Sequence, residues 1–131
     1  MSEPGRCEVR ITRRLPAKRE EVWAALTDPE AMSRWLDPCC ETGFAEGAEV
    51  ELRGRDGEPV TARVRELQPG RLLELDWETG GDVSVVRFEL SGAGDETTLV
   101  LDHRRIDARV GMAYAAAWER AVKRLLGSVE R

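Results

Sequence analysis

The sequence predicts an α+β domain: a curved antiparallel sheet of about six strands, two short helices after strand 1, and a long C-terminal helix packed across the sheet. Three observations lead there. Apolar and polar residues alternate in 7–14 and again through most of 48–104, the period of half-buried strands. The spacing turns helical between Pro16 and Leu36 and once more from about Arg109 to Val129. Short turns rich in Gly, Pro and Asp separate the later strands, and connections of that length join antiparallel neighbours.

Taken in order, CEVRITRR places Cys7, Val9 and Ile11 on one face of the first strand. In PAKREEVWAALTDPEAMSRWL, Val22, Trp23 and Leu26 share one helical side, and Met32, Trp35 and Leu36 continue it after a break. The break is encoded. Thr27 or Asp28 can accept a hydrogen bond from the first free amides of the second helix, Pro29 is pre-set for a first turn, and Glu30 suits the positive helix end. Val50 and Leu52, then Val60, Ala62 and Val64, then Leu73, Leu75 and Trp77, then Val86, Phe88 and Leu90, then Thr97, Leu99, Leu101 and His103 form the inward rows of five further strands. Turns are expected at 55–57, 68–70, 80–81 and 91–94. The last helix carries Ala115, Trp118, Val122, Leu125, Leu126 and Val129 on one stripe. It is the only long cover for the sheet's apolar face, and the two short helices would plug one end, leaving a space between sheet and helix.

The 131 residues are expected to form one domain, 1–131, with its core at about 7–129. A formal charge of -5 and 34% charged residues argue against a phosphate-backbone binder, so no nucleic-acid partner is expected. No apolar run is long enough for a membrane span and Met1–Arg10 lacks a signal-peptide core, which predicts a cytoplasmic protein. Of 20 basic residues only Lys18 and Lys123 are lysine, the bias of a GC-rich bacterial genome. Cys7, Cys39 and Cys40 make no disulfide framework, and with a single histidine no structural metal site is expected. No cofactor is predicted.

Several inward residues are candidates for ligand contact. Trp35 and Trp77 either stack a flat ligand or belong to the core. Phe88 is core or cavity floor, and Trp118 part core and part wall. Ala62 and Ala115 are small enough to border a void. Arg13, near the end of the first strand, either pairs with an acid group on a ligand or lines a rim. His103 either serves a ligand or a proton transfer, or is satisfied within the structure. Asp102 and Glu89 point away from it by strand parity, so no catalytic set converges and no catalytic residue is assigned. Glu74, Asp76, Arg87, Asp102 and Arg104 read as cross-strand ion pairs on the solvated face, while Val83, Val85 and Val100 stand there as apolar exceptions that would suit a dimer face.

The run VRITRRLPAKREEVWAALTDPEAMSRWL, the RELQPGRLLELDW turn, the TTLVLDH strand and the closing helix with Trp118 resemble the activator of heat-shock protein 90 ATPase homologue family. That family lies within the START-like helix-grip (SRPBCC) superfamily. The likeness extends from about Cys7 to Val129. It implies a helix-grip, Bet v 1-like fold with an apolar cavity for a small hydrophobic ligand, in proteins that range over binding proteins, polyketide cyclase relatives and natural-product self-resistance proteins. The leading expectation is therefore a binder of a hydrophobic, aromatic or polyketide-like molecule, acting as carrier, sensor or sequestering protein. A cyclase-like enzyme using His103 as acid or base, and a co-chaperone-like interaction module, are the alternatives. The chain is expected to be a monomer or homodimer.

Overall fold

A computed structural model describes residues 5–32, 35, 44–45, 47–53, 59–92 and 94–129. Their order is β1 (Arg6–Leu15), α1 (Arg19–Thr27), α2 (Pro29–Met32), β2 (Glu49–Arg53), β3 (Pro59–Gln68), β4 (Leu72–Thr79), β5 (Asp82–Ser91), β6 (Thr97–Asp107), a 3-10 turn (Ala108–Val110) and α3 (Gly111–Val129). The strands form one antiparallel sheet in the order β1-β6-β5-β4-β3-β2. Strands β2 to β6 are a meander, and β1 closes back on β6. The α+β order of strands and helices expected from the alternation is present, with the long closing helix across the sheet as the family resemblance implies.

Alternation also settles which face is buried. Val60, Ala62 and Val64, then Leu73, Leu75 and Trp77, then Val86, Phe88 and Leu90 are buried in succession, with Leu99, Leu101 and His103 beside them. Two bulges interrupt the ladder. Val9 pairs with His103 and Cys7 with Ile106, so Arg104 and Arg105 of β6 oppose only Glu8 of β1. Arg105 sits there at φ 63°, in the left-handed region. The extra residue lets His103 and Ile106, three apart, both face inward. In β3, Arg65 is the unpaired extra residue between Val64 and Glu66. Such insertions bend the strands that carry them, which helps the sheet curve around α3.

The corner between the short helices follows its local chemistry. Thr27 Oγ1 donates back to Trp23 O at 2.8 Å, ending α1, and Asp28 Oδ2 accepts from Ala31 N at 3.2 Å, starting α2. Asp28 is thus the cap. The expected second helix is a single turn, and Trp35, expected at its end, lies in a turn beyond it. Leu36, Cys39, Cys40 and the 55–57 turn lie outside the described residues. Trp35 is 1% exposed; its Nε1 donates to Ala25 O of α1 at 2.6 Å, and its carbonyl accepts from Arg124 Nε of α3 at 3.2 Å. One tryptophan therefore joins the corner to the long helix.

The outer face carries ion pairs at Glu74, Asp76, Arg87 and Arg104 of the expected set, while among the described residues Asp102 Oδ1 has no partner. Glu74, with its side chain only 13% exposed, accepts from Arg87 at 3.1 Å and lies 3.6 Å from Arg104 and 3.9 Å from Arg65. The apolar exceptions are not one open patch: Val85 is buried and Val100 half-buried, leaving Val83 exposed. No helix among the described residues is long and apolar enough to cross a membrane.

Asp107 begins the closing helix by accepting from Arg109 N at 3.0 Å, and the Arg109 guanidinium beside it holds its carboxyl down at about 2. Gly111 then lets α3 approach β1, since a Cβ at that position would stand 2.5 Å from Cys7 Sγ. Replacing Gly111 by alanine should destabilise the fold by about 1–3 kcal/mol through overpacking. In a Cys7→Ala background the same change should be neutral or stabilising, by up to about 1 kcal/mol, because alanine favours helix over glycine. Urea unfolding of the four proteins measures it, and an equal loss in both backgrounds would contradict the close approach as the reason for glycine.

Candidate functional site

Where α3 lies over the sheet, the inward residues of β4, β5 and β6 meet it through rings. Trp35 contacts Phe88 edge-on at 6.0 Å, Phe88 contacts Trp118 at 6.0 Å, and Trp118 lies 5.3 Å from Trp77. His103 completes the group, 5.9 Å from Trp77, 6.0 Å from Trp118 and 4.7 Å from Tyr114. The tilted and edge-to-face arrangements are those that aromatic quadrupoles favour. Five residues singled out in the sequence, Trp35, Trp77, Phe88, His103 and Trp118, are thus brought together from a turn, three strands and a helix. Ala62 is fully buried opposite Trp77 in the β3–β4 register.

Two candidates fall elsewhere. Ala115 is half-buried, beside rather than on the buried stripe of α3, which runs through Gly111, Tyr114, Trp118, Ala121, Val122, Leu125 and Val129. Arg13 has the inward parity of Ile11 and Leu15, yet its guanidinium reaches the rim and pairs with Glu119 of α3 at 2.6 Å, with its side chain 43% exposed. A long stem at a strand end can carry its charge out to water, which is why parity misplaces it. Its rim position matches the alternative the sequence offered, with a pair to Glu119 that spans β1 and α3.

Two residues at the site were not among the candidates. Ser84 stands two positions before Val86 on the same face of β5, and Tyr114 stands four before Trp118 on the same side of α3. Both spacings are legible in the sequence, but a serine and a tyrosine at the edge of an apolar row carry no signal of a site by themselves.

Ser84 matters because of what it does to His103. Trp118 Nε1 donates to His103 Nδ1 at 2.9 Å, and His103 Nε2 lies 2.7 Å from Ser84 Oγ. An indole N–H only donates, so Nδ1 must offer its lone pair, and the single proton of the neutral imidazole resides on Nε2. Nε2–H therefore donates to Ser84 Oγ, and the serine hydroxyl donates onward to Trp77 O at 3.3 Å. The chain runs one way, from helix to strand backbone, with every link satisfied. A second proton would set Nδ1–H against the Trp118 N–H. Burial, with no carboxylate in this group of rings, holds the imidazole far below its ordinary 6.5, at about 3. At neutral pH His103 is a neutral, doubly bonded core residue. Neither nitrogen is free to carry a proton to or from a substrate.

The other buried polar side chains are similarly placed. Thr97 Oγ1 donates to Ala17 O at 2.8 Å. Among the described residues the buried side-chain atoms without a partner are Trp77 Nε1, inside, and Asp102 Oδ1, on the outer face. An unpartnered buried donor costs about 1–3 kcal/mol, so Trp77 Nε1 calls for a reason. A pocket of about 180 Å³ opens between the β4–β5 hairpin and the start of α3, bounded by Thr79, Asp82, Ser84, Asp107 and Tyr114. The described residues hold no cluster of His, Cys, Asp or Glu suited to a metal ion.

Comparison with known proteins matches residues 16–130 to the model of a family described as activator of Hsp90 ATPase homolog 1-like protein. Among solved structures, CalU16 from Micromonospora echinospora is similar at 28% identity and TM-score 0.82, over 99% of this chain and 82% of that one. DynU16, a protein of the dynemicin biosynthetic locus, is similar at 26% identity and TM-score 0.81, over 94% of this chain and 47% of that one. The Aha1 dimer from Colwellia psychrerythraea, at 16% identity and TM-score 0.78 over 95% and 96% of the chains, shares the fold. No curated protein matches in sequence.

The neutral imidazole has a consequence for stability. The unfolded chain takes up a proton below pH 6.5 that the folded chain refuses until about pH 3, so this contribution is fully present above pH 6.5 and declines as pH falls through that window. At about 1.4 kcal/mol per pH unit, roughly 2 kcal/mol should be lost by pH 5. Urea unfolding at pH 7.5 and pH 5 should show that loss in the wild type and its absence in His103→Gln, whose amide does not titrate. The same pH dependence in both proteins would contradict a neutral buried imidazole.

Proposed function

The chain belongs to the activator of Hsp90 ATPase homolog 1-like family, and from that premise we propose that it binds a small, uncharged, flat apolar molecule on the aromatic inner surface beneath α3. One observation carries the proposal: Trp35, Phe88, Trp118 and Trp77 form a continuous run of rings from the corner to the middle of the sheet. Rings of this kind give a ligand large contact area at little cost in side-chain entropy. The inner surface carries no buried charge among the described residues; its buried polar side chains are Ser84, Thr97 and His103.

On this reading the protein acts as a carrier, sensor or sequestering protein rather than through His103 as acid or base. A cyclase-like mechanism through His103 would need a nitrogen that exchanges protons near neutral pH. Both nitrogens are engaged and the group is neutral. The likeness to DynU16, a protein of the dynemicin biosynthetic locus, supports a role beside a biosynthetic pathway.

The uncharged fluorophore N-phenyl-1-naphthylamine should bind the folded protein at about one equivalent, and at a hundredfold excess over Kd should stabilise it by about 2.7 kcal/mol, a Tm rise of several degrees. Fluorescence titration and thermal unfolding measure both. No saturable binding and no shift in Tm would overturn the proposal. Native mass spectrometry of protein purified from its own host identifies the natural occupant.

A further inference from the structure

We infer that the indole N–H of Trp77 is the polar anchor of this site, and that the ligand presents to it an uncharged carbonyl oxygen. The inference rests on the reading that an apolar ligand occupies the surface beneath α3; what it adds is the chemistry by which one such ligand is chosen.

Each of the other polar groups assigned here to the interior already ends on a protein acceptor. Trp35 Nε1 donates to Ala25 O, Thr97 Oγ1 to Ala17 O, Trp118 Nε1 to His103 Nδ1, His103 Nε2 to Ser84 Oγ, and Ser84 Oγ to Trp77 O. Trp77 Nε1 breaks the pattern, buried and unpartnered in a residue that is 3% exposed. Its ring neighbours cannot serve it. Trp118, at 5.3 Å, has no acceptor to offer. His103, at 5.9 Å, has its one lone pair taken by Trp118 and a proton on the other nitrogen. Opposite Trp77 in the ladder stand Ala62, which has no polar side-chain atom, and Ser84, whose hydroxyl accepts from His103, donates to the Trp77 carbonyl and makes no bond to the indole. No acceptor for it stands among these described neighbours, so a bound ligand would complete the bond.

The surroundings narrow what it can be. An ionised carboxylate would enter a surface with no buried cation among the described residues, and an uncompensated buried charge is strongly disfavoured. A hydroxyl or a water would satisfy the indole but bring O–H donors of its own, each of which needs an acceptor in turn. A carbonyl oxygen accepts and brings no donor. A flat ketone, quinone or ester-bearing ring system matches both the rings and the anchor.

Fluorene and 9-fluorenone share a planar three-ring skeleton and differ at one carbon, CH2 in the first and C=O in the second. The wild type should bind fluorenone about tenfold more tightly than fluorene, the order of one neutral hydrogen bond. In Trp77→Phe the two should bind within about threefold of each other, because the lost ring area weakens both alike and only the lost donor distinguishes them. A second readout needs no variant: in the ¹H–¹⁵N spectrum of wild-type protein, the Trp77 indole signal should move downfield with fluorenone and not with fluorene. Equal affinities in the wild type, a preference that survives Trp77→Phe, or an indole signal that fluorenone leaves in place would overturn the anchor while leaving apolar binding intact. Absence of saturable binding by either compound would overturn both.

Discussion

The hydrogen bond from Trp118 to His103 is the interaction on which the interior depends. It is a direct polar link between the long helix and the middle of the sheet, and it fixes more than distance. Because an indole N–H can only give its proton, it decides which imidazole nitrogen is bare, and thereby which way Ser84 must turn and why the carbonyl of Trp77 is occupied. A helix that merely lay on apolar residues could slide or rotate at small cost. One that must deliver an N–H to a buried nitrogen, while Arg13 holds Glu119 at its flank and Arg124 meets the Trp35 carbonyl near its end, has one register. Deep inside, such a chain is also stronger than in water, and costly if any link is left open.

Two faces of the same sheet follow different rules. Outside, Glu74 gathers several arginines and water screens what remains, so those pairs steer solubility and strand pairing more than stability. Inside, charge is absent among the buried described residues and each polar atom counts. The one histidine in the chain belongs to this second regime. Residue type alone would make it a candidate acid or base; its surroundings make it a neutral strut.

Much of this was legible before the fold was known. Period-two alternation marked the inner rows of β3 to β6, and His103 fell on the inner row because Leu99 and Leu101 precede it at steps of two. The Thr-Asp-Pro break marked the corner, though not that α2 would be one turn with Trp35 beyond it. What was not legible depends on neighbours distant in sequence. Nothing local to His103 says that Ser84 and Trp118 will take its two nitrogens; that needs the β5–β6 register and the landing site of α3. Parity failed for Arg13 because a long charged side chain at a strand end follows water and Glu119, not the pleat. It would also fail past the bulge at Arg104 and Arg105, which turns Ile106 inward against a strict count of two. The unpartnered indole of Trp77 could not be read from sequence at all, since it is defined by what its neighbours have already given away.

The central claim is that His103 is a neutral imidazole protonated on Nε2, held between an indole donor and a serine hydroxyl. Long-range ¹H–¹⁵N correlation spectroscopy on ¹⁵N-labelled protein reads the two ring nitrogens directly. One protonated nitrogen, Nε2, and one bare nitrogen, Nδ1, are expected, with shifts that stay constant from pH 8 down to pH 5. A titration centred near the ordinary histidine value of 6.5, or a proton residing on Nδ1, would contradict it.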